Sequence, residues 1–563
     1  MHVSRRGLLA GAGGTALAWP LRAAPDPRGA DLVVRNARVN TVEPLMIPAA
    51  EAFAVRDGRF IAVGSNQDVS GLVRKGTEVI DARGMTIVPG FIDCHLHPDG
   101  ETLLYEVLVG NPYDVEFVTI ASIIDKLKAR AAQTPPGQWV EGFFYDDTKV
   151  KDGRLITRAD LDRVSSDHPV AVYHRGGHTS FYNSKAFDLA GVTKDTPQPF
   201  GGTFDRDPSG DLNGRVTDKA QEVLWEAGTW QKFSDSEKFA RAKAGLAHLS
   251  KQFARFGLTT VHHEGGDFSA LMEVRQDGNL LHRVSYEPDE PMIQAMIANG
   301  WRTGFGDEWI RLGATSEHMV DGSFSERTMS IRAGYPGRSP PYHGNVTETQ
   351  EHLDGWVERV WRAGIQPNCH TNGDVAIDMY LTSLERAQRL FPRRDVRPKF
   401  THATLADAPL IARMKALDAL PTPFTSYAYY NPDKFKYYGE ALMRHMMPYR
   451  DYLDAGIKVA AGCDFSPGPF SPLLGIQGMV TRTGWNGETW GANQRISIAE
   501  ALLVYTWNGA YNSHEENAKG SIAPGKLADF VILADDPHRV DPRKIKDIAI
   551  VRTVAGGRTT YLA

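Results

Sequence analysis

Apolar positions in this chain recur in one repeated order: a helical run, a glycine, a short apolar strand, and a polar residue at the strand's end. The clearest copy starts at Ser234, which forms a capping-box pattern with Glu237. Phe239, Ala242, Leu246, Leu249, Phe253 and Phe256 follow at helical spacing, and Gly257 closes the helix. Leu258, Thr259, Thr260 and Val261 then predict a buried strand that ends in His262-His263-Glu264. The unit returns at residues 357–363, where Gly364 leads to a strand reaching His370. It returns again at 452–455, where Gly456 leads to a strand reaching Asp464. Filling the gaps predicts eight strands, ending near His97, His263, Pro288, Glu317, His370, His402, Tyr427 and Asp464. This is the pattern of an α/β chain folded as a (β/α)8 TIM barrel, whose chemistry gathers at the carboxyl ends of its strands.

The flanks read differently. Residues 30–88 carry short strands (Val33-Val34, Phe53 to Val55, Phe60 to Val63, Val79-Ile80) separated by turns such as Asp57-Gly58. Residues 516–563 are strand-like again at Ala528 to Leu533 and Val551 to Val554. Strand sets at both ends pair most economically with each other, so a small composite β-sandwich is expected beside a barrel at 89–515. Residues 99–235 are too long for a plain loop and are expected to be an insertion decorating the barrel. Within them Val170 to Tyr173 predicts a strand leading to His174-Arg175-Gly176-Gly177-His178.

The chemistry starts at residues 86–98, T-I-V-P-G-F-I-D-C-H-L-H-P. Residues two apart on a strand share a face, so His95 and His97 aim at one point, as metal ligands do. An H-x-H alone is equally at home on a surface strand end. Four further strand ends add Glu317, His370, His402 and Asp464, so four histidines and two carboxylates are expected on one rim. Imidazole with carboxylate favours zinc, with manganese, iron or cobalt open on ligand type alone. Tyr427, Tyr429, Tyr430, Phe435, Tyr437 and Tyr438 follow the seventh strand. They can wall a pocket for an apolar or aromatic substrate, with Tyr429 as a candidate contact, or form core beneath a long loop.

Composition adds exclusions. Net charge is −5 with both signs interspersed, which gives no support for nucleic-acid binding. Arg5-Arg6 precedes a short Gly/Ala-rich apolar segment and Ala23-Ala24-Pro25. Residues 1–24 therefore read as a twin-arginine signal, handled by the twin-arginine export machinery and directing the protein to the periplasm. That segment is too short to span a bilayer as a helix, and no other stretch is long and apolar enough. Three cysteines, Cys94, Cys369 and Cys463, each stand one residue before a candidate ligand. Their spacing fits neither a disulfide framework nor a thiolate site, so they are expected to be packing residues. A homodimer is compatible with the sequence and not fixed by it.

The order H-x-H, acidic residue, His, His, Asp resembles the amidohydrolase superfamily. More narrowly the chain is similar to the N-substituted formamide deformylase-like (amidohydrolase 3) family, along nearly its whole length. The matching stretches are P-G-F-I-D-C-H-L-H at 89–97, Val320-Asp321-Gly322-Ser323, His370-Thr371-Asn372-Gly373-Asp374 and Gly462-Cys463-Asp464. A further match is G-S-I-A-P-G-K-L-A-D-F at 520–530. The resemblance implies one or two divalent metals in the barrel and hydrolysis of an amide or other C–N bond. It implies that Asp464 is both ligand and proton carrier, and that His178 lines the substrate pocket. Two positions depart from the family pattern. Glu317 stands where relatives often carry a carboxylated lysine, four residues before Asp-Gly, and a slip of one residue would turn His318 inward instead. His263 stands where relatives commonly have aspartate, and packing or substrate contact is expected of it. Ester or lactone hydrolysis on the same site, or a catalytically silent metal-binding barrel, are the alternatives the sequence leaves open.

Overall fold

The computed structural model describes residues 29–43 and 49–563; the expected signal at residues 1–24 lies outside them. Its inner layer is two four-stranded sheets, parallel throughout. One runs Ile310–Leu312, Arg283–Glu287, Leu258–Glu264, Phe91–Leu96. The other runs His318–Met319, Asn368–Thr371, Lys399–His402, Leu420–Thr422. Residues 310–319 pass from the first sheet to the second, and Thr315 N–H donates to Gln366 O at 2.9 Å. On the opposite side, Ala460 N–H donates to Pro421 O at 3.1 Å and Cys94 N–H to Ala461 O at 2.7 Å.

Two expected strands come out differently. The seventh stops at Thr422, not near Tyr427, because Pro423 has no N–H to continue the ladder, and Tyr427–Tyr430 is a short helix. The eighth, residues 459–464, is hydrogen-bonded between its neighbours without being a regular strand. There Cys463 N–H donates to the Asp93 side chain at 3.2 Å in place of a backbone carbonyl.

The helices follow the periodicity. Asp235–Arg255 carries the Ser234/Glu237 capping box and buries Leu246, Leu249 and Phe253. Gln350–Arg362 and Tyr449–Asp454 occupy the other two expected helical runs. The glycines that end the three units, Gly257, Gly364 and Gly456, have φ of 79°, 80° and 74°, which side-chain-bearing residues adopt only at a cost.

Both chain ends build one six-stranded sheet, in the order Arg558–Leu562, Ile550–Ala555, Phe530–Leu533, Thr86–Pro89, Arg38–Asn40, Ala49–Ala50. A second sheet, Arg59–Gly64, Ala52–Arg56, Leu32–Arg35, Glu78–Asp81, shares its core: the Phe53 ring lies 4.9 Å from that of Phe530. The insertion is more regular than its sequence suggests. It holds a five-stranded sheet ordered Gly202–Arg206, Leu212–Asp218, Thr179–Tyr182, Val170–His174, Val140–Tyr145. All three cysteines are buried and free, as their packing role requires. Among the described residues no helix is long and apolar enough to cross a membrane.

The inner layer is tied to the terminal sheet by a buried ion pair. Arg283 Nε and Nη2 donate to the two Asp529 oxygens at 2.8 and 3.0 Å, and the guanidinium lies 4.6 Å from the Trp309 ring. Removing one partner of such a pair strands the other charge. Asp529→Ala should therefore cost about 3–5 kcal/mol in urea-induced unfolding; a loss below ~1 kcal/mol would mean that the pair behaves as a solvated one.

Candidate metal centre

Strand alternation brings the H-x-H pair to the second face shared by Glu317, His402 and Asp464. His95 Nε2 and His97 Nε2 each lie 3.3 Å from Asp464 Oδ1. His95 Nε2 and His402 Nε2 each lie 3.7 Å from Glu317 Oε2, and His370 Nδ1 lies 3.1 Å from the same oxygen. His370 Nδ1 is also 3.1 Å from His402 Nε2. All six expected residues therefore converge. Five of them form two overlapping triads, His95/His97/Asp464 and His95/Glu317/His402, with His370 beside the second.

Two features of this group point to a bound cation. Both His95 ring nitrogens, His402 Nδ1 and Asp464 Oδ1 are buried and lack a hydrogen-bond partner. Buried polar atoms are almost always satisfied, so His95 Nε2 and Asp464 Oδ1, which face each other across the cluster, fit a divalent metal, while His402 turns its other nitrogen, Nε2, to the cluster. Electrostatics agrees. Burial alone would raise the Glu317 and Asp464 carboxyls, yet the surrounding histidines hold both well below the usual carboxylate range.

Backbone geometry is specialised here. His402 and Asp464 have φ of 71° and 53°, left-handed values that side-chain-bearing residues adopt at functional sites when neighbours hold them. Asp464 N–H donates to His95 O at 2.9 Å. Asp93 accepts from the N–H groups of His95 and Cys463 at 3.1 and 3.2 Å, and burial pushes its carboxyl up to about 6. Asp321 of the V-D-G-S stretch straps down the H-T-N-G-D turn, accepting from Asn372 N–H (2.8 Å), Gly373 N–H (2.9 Å) and Ser330 N–H (2.8 Å). Gly373 must be glycine, since a Cβ would stand 1.8 Å from Ser330 O.

The substrate candidates divide. His178 is brought in: its ring centroid lies 5.0 Å from that of His370, and its Nδ1 is 2.8 Å from Asp218 Oδ1. Burial works against its imidazolium, but Asp218, Glu326 and Glu317 outweigh it and raise its pKa to about 9. His263 is not brought in. On its strand His262 and Glu264 take the inner face, so His263 turns outward, with Nε2 2.9 Å from His282 Nε2 and its ring against Phe253. Tyr429 also lies elsewhere, half-buried, with Lys546 5.7 Å from its ring. The aromatic that reaches the cluster is Phe424, stacked at 4.2 Å on His402, with Tyr427 stacked behind it at 3.8 Å. Tyr430, Phe435 and Tyr438 are core. His318 points outward, so no slip of register competes with Glu317.

Three charged residues were not singled out from sequence. Glu264 Oε1 accepts from Glu317 N–H at 2.8 Å, and its other oxygen lies 3.9 Å from His95 Nδ1. Burial and the adjacent Glu317 charge push the Glu264 carboxyl well up. One layer deeper, Glu287 pairs with Lys399, and His262 Nδ1 lies 3.3 Å from the same carboxylate. The available signal was a charged residue inside an apolar strand. A cleft of about 250 Å³, lined by His97, Pro98, Glu264, Gly266 and Asp267 among others, adjoins the cluster. His97 is its most open member, with 39% of its side chain exposed.

The sequence profile of the amidohydrolase family matches residues 78–561. N-substituted formamide deformylase of Arthrobacter pascens is 27% identical over 552 residues, covering 94% of this chain and 98% of the relative. Protein LONG AFTER FAR-RED 3 of Arabidopsis thaliana is 26% identical over 563 residues, covering 96% and 94%. An uncharacterized metal-dependent hydrolase from Pyrococcus horikoshii has the same fold, with a TM-score of 0.69 at 21% identity over 91% of this chain and 99% of that one. A profile match from the first terminal sheet to the last, over a rim of four histidines and two carboxylates, places this chain in the amidohydrolase family and makes it a hydrolase.

Proposed function

We propose that this hydrolase cleaves a carbon–nitrogen bond, amide or N-formyl-like and outside peptides, in a small apolar or aromatic substrate. In this reading one or two divalent ions, zinc by donor type, are held by His95, His97, Glu317, His370, His402 and Asp464. The observation that carries it is the pair of buried, partnerless donors His95 Nε2 and Asp464 Oδ1 at the centre of the cluster. The deformylase relative supports the N-formyl class, and the Phe424–Tyr427 stack beside His402 supports an apolar substrate. The two parallel sheets, joined across both seams, support a closed eight-stranded barrel at 89–515. The shared Phe53–Phe530 core supports a composite sandwich from 30–88 and 516–563.

A divalent ion there would supply Lewis acidity and lower the pKa of water to about 7. The remaining work falls to this chain's own groups. Asp464, ionised and facing His95, His97 and His402, takes a proton from the attacking water and returns it to the leaving amine. Its left-handed backbone turn and its N–H bond to His95 O fix where the carboxylate can reach. Glu317 holds negative charge between three imidazoles, without needing carbon dioxide to become a ligand. His178, fixed by Asp218 beside His370, is the contact to the substrate's acyl oxygen. Export through the twin-arginine pathway to the periplasm, with cleavage near Ala24, completes the reading and rests on Arg5-Arg6.

Four outcomes are expected. Prolonged chelation should abolish turnover in a screen of amides, N-formyl compounds and lactones, and zinc or manganese should restore it. His95→Ala and Glu317→Gln should each lower bound metal while the fold survives. Turnover by verified metal-free protein would refute the mechanism, and turnover confined to lactones would move the bond class. Asp464→Asn keeps size and loses basicity, so kcat should fall by about 100-fold or more at full metal occupancy; near-normal kcat would assign the base elsewhere. Replacing Arg5 and Arg6 by lysine should leave the precursor in the cytoplasm, and undiminished periplasmic recovery would remove the export claim.

A further inference from the structure

A second group of metal-ligating side chains is assembled on the outer face of the segment that carries Glu317. Alternation turns His318 out as Glu317 turns in. His318 Nε2 lies 2.7 Å from Glu348 Oε2, and His352 Nδ1 lies 2.6 Å from the same oxygen. The group is held in place on two sides. Glu348 Oε1 accepts from Thr349 N–H at 2.6 Å, and the His318 ring stacks on Trp356 at 4.4 Å and 25°. His352 stands in the first turn of Gln350–Arg362 with 68% of its side chain exposed, so the group opens to solvent on that side. Among the described residues, the ion partners of Glu348 are these two histidines and no lysine or arginine.

We propose that His318 Nε2, His352 Nδ1 and Glu348 Oε2 form a second divalent-cation site, separate from the inner cluster and suited to zinc. Two imidazoles and a carboxylate are a zinc donor set, and the solvent side leaves room for water as the fourth ligand. At Zn–N and Zn–O contacts of about 2.0–2.1 Å, tetrahedral donors stand roughly 3.3 Å apart. Both donor contacts to Glu348 Oε2, at 2.7 and 2.6 Å, must therefore lengthen to about that spacing. The exposed His352 side chain can swing away, and a small rotation of the Glu348 carboxylate opens its contact to His318, whose ring stays stacked on Trp356. An ion here ties the residue beside Glu317 to the start of the 350–362 helix, bracing the inner carboxylate's segment from outside.

Crystals grown with zinc test this directly by anomalous diffraction at the zinc edge. A peak bounded by His318, Glu348 and His352 is expected, in addition to any at the inner cluster; density at the inner cluster alone would overturn the proposal. In solution, equilibrium dialysis against zinc should show the wild type binding one more equivalent than His352→Ala. The same difference should appear with the milder His352→Gln, which keeps a polar side chain at this exposed position. Equal zinc content in wild type and both variants, each shown to be folded by thermal unfolding in chelator, would refute the site. Because the inner ligands are untouched in both variants, unchanged chelator-sensitive turnover separates this result from failure of the hydrolase reading.

Discussion

A carboxylate can stay ionised away from water only beside something that holds its charge, and at Glu317 that constraint reaches through the whole molecule. Its side chain is buried among His95, His370 and His402, from three different strands. Asp464 completes the far side, so the cluster holds two ionised carboxylates with no lysine or arginine within ion-pair distance of either among the described residues. One layer down, the same problem is solved inside the protein, where Glu287 is matched by Lys399. The contrast between the layers is the strongest physical argument for a cation in the upper one.

Holding those donors together costs backbone strain, and the surrounding bonds show how it is borne. His402 and Asp464 sit in left-handed conformations that an isolated strand end would relax. Asp93 bridges the N–H groups of His95 and Cys463, and so locks the first strand to the segment carrying Asp464. Asp321 does the same for the turn after His370. Neither aspartate touches the donor cluster's open face. Their positions explain why acidic residues stand beside the site without belonging to it.

What the sequence disclosed follows from which signals are local. Alternation and helix stops are local, so the pairing of His95 with His97, the helix Asp235–Arg255 and the six converging side chains could be read directly. Inner or outer parity is not local when a strand carries consecutive polar residues. His262-His263-Glu264 offers two polar choices for the inner face, and the pairing with Arg283–Glu287 selects His262 and Glu264 over His263. Tyr429 was misplaced for a similar reason: Pro423 ends its strand early, and the short helix that follows turns Tyr427 towards Phe424 instead. The insertion's sheet was largely hidden because its strands pair mostly antiparallel across Gly- and Asp-rich turns.

That insertion changes how the site should be understood. Arg175 donates to Ser466 O at 3.0 and 2.7 Å and to Asn111 O at 3.2 Å, and also bonds the Tyr430 hydroxyl. The loop that leaves Asp464 is therefore held by the insertion as well as by the strands beneath it. Three residues further along the same H-R-G-G-H stretch, His178 stands against His370, anchored by Asp218 from a neighbouring strand of the insertion. The inner strands thus supply a donor set common to many chemistries, while the insertion supplies the rigid side chains facing it. The side of the cluster away from the inner strands is therefore set by the sheet at 140–218.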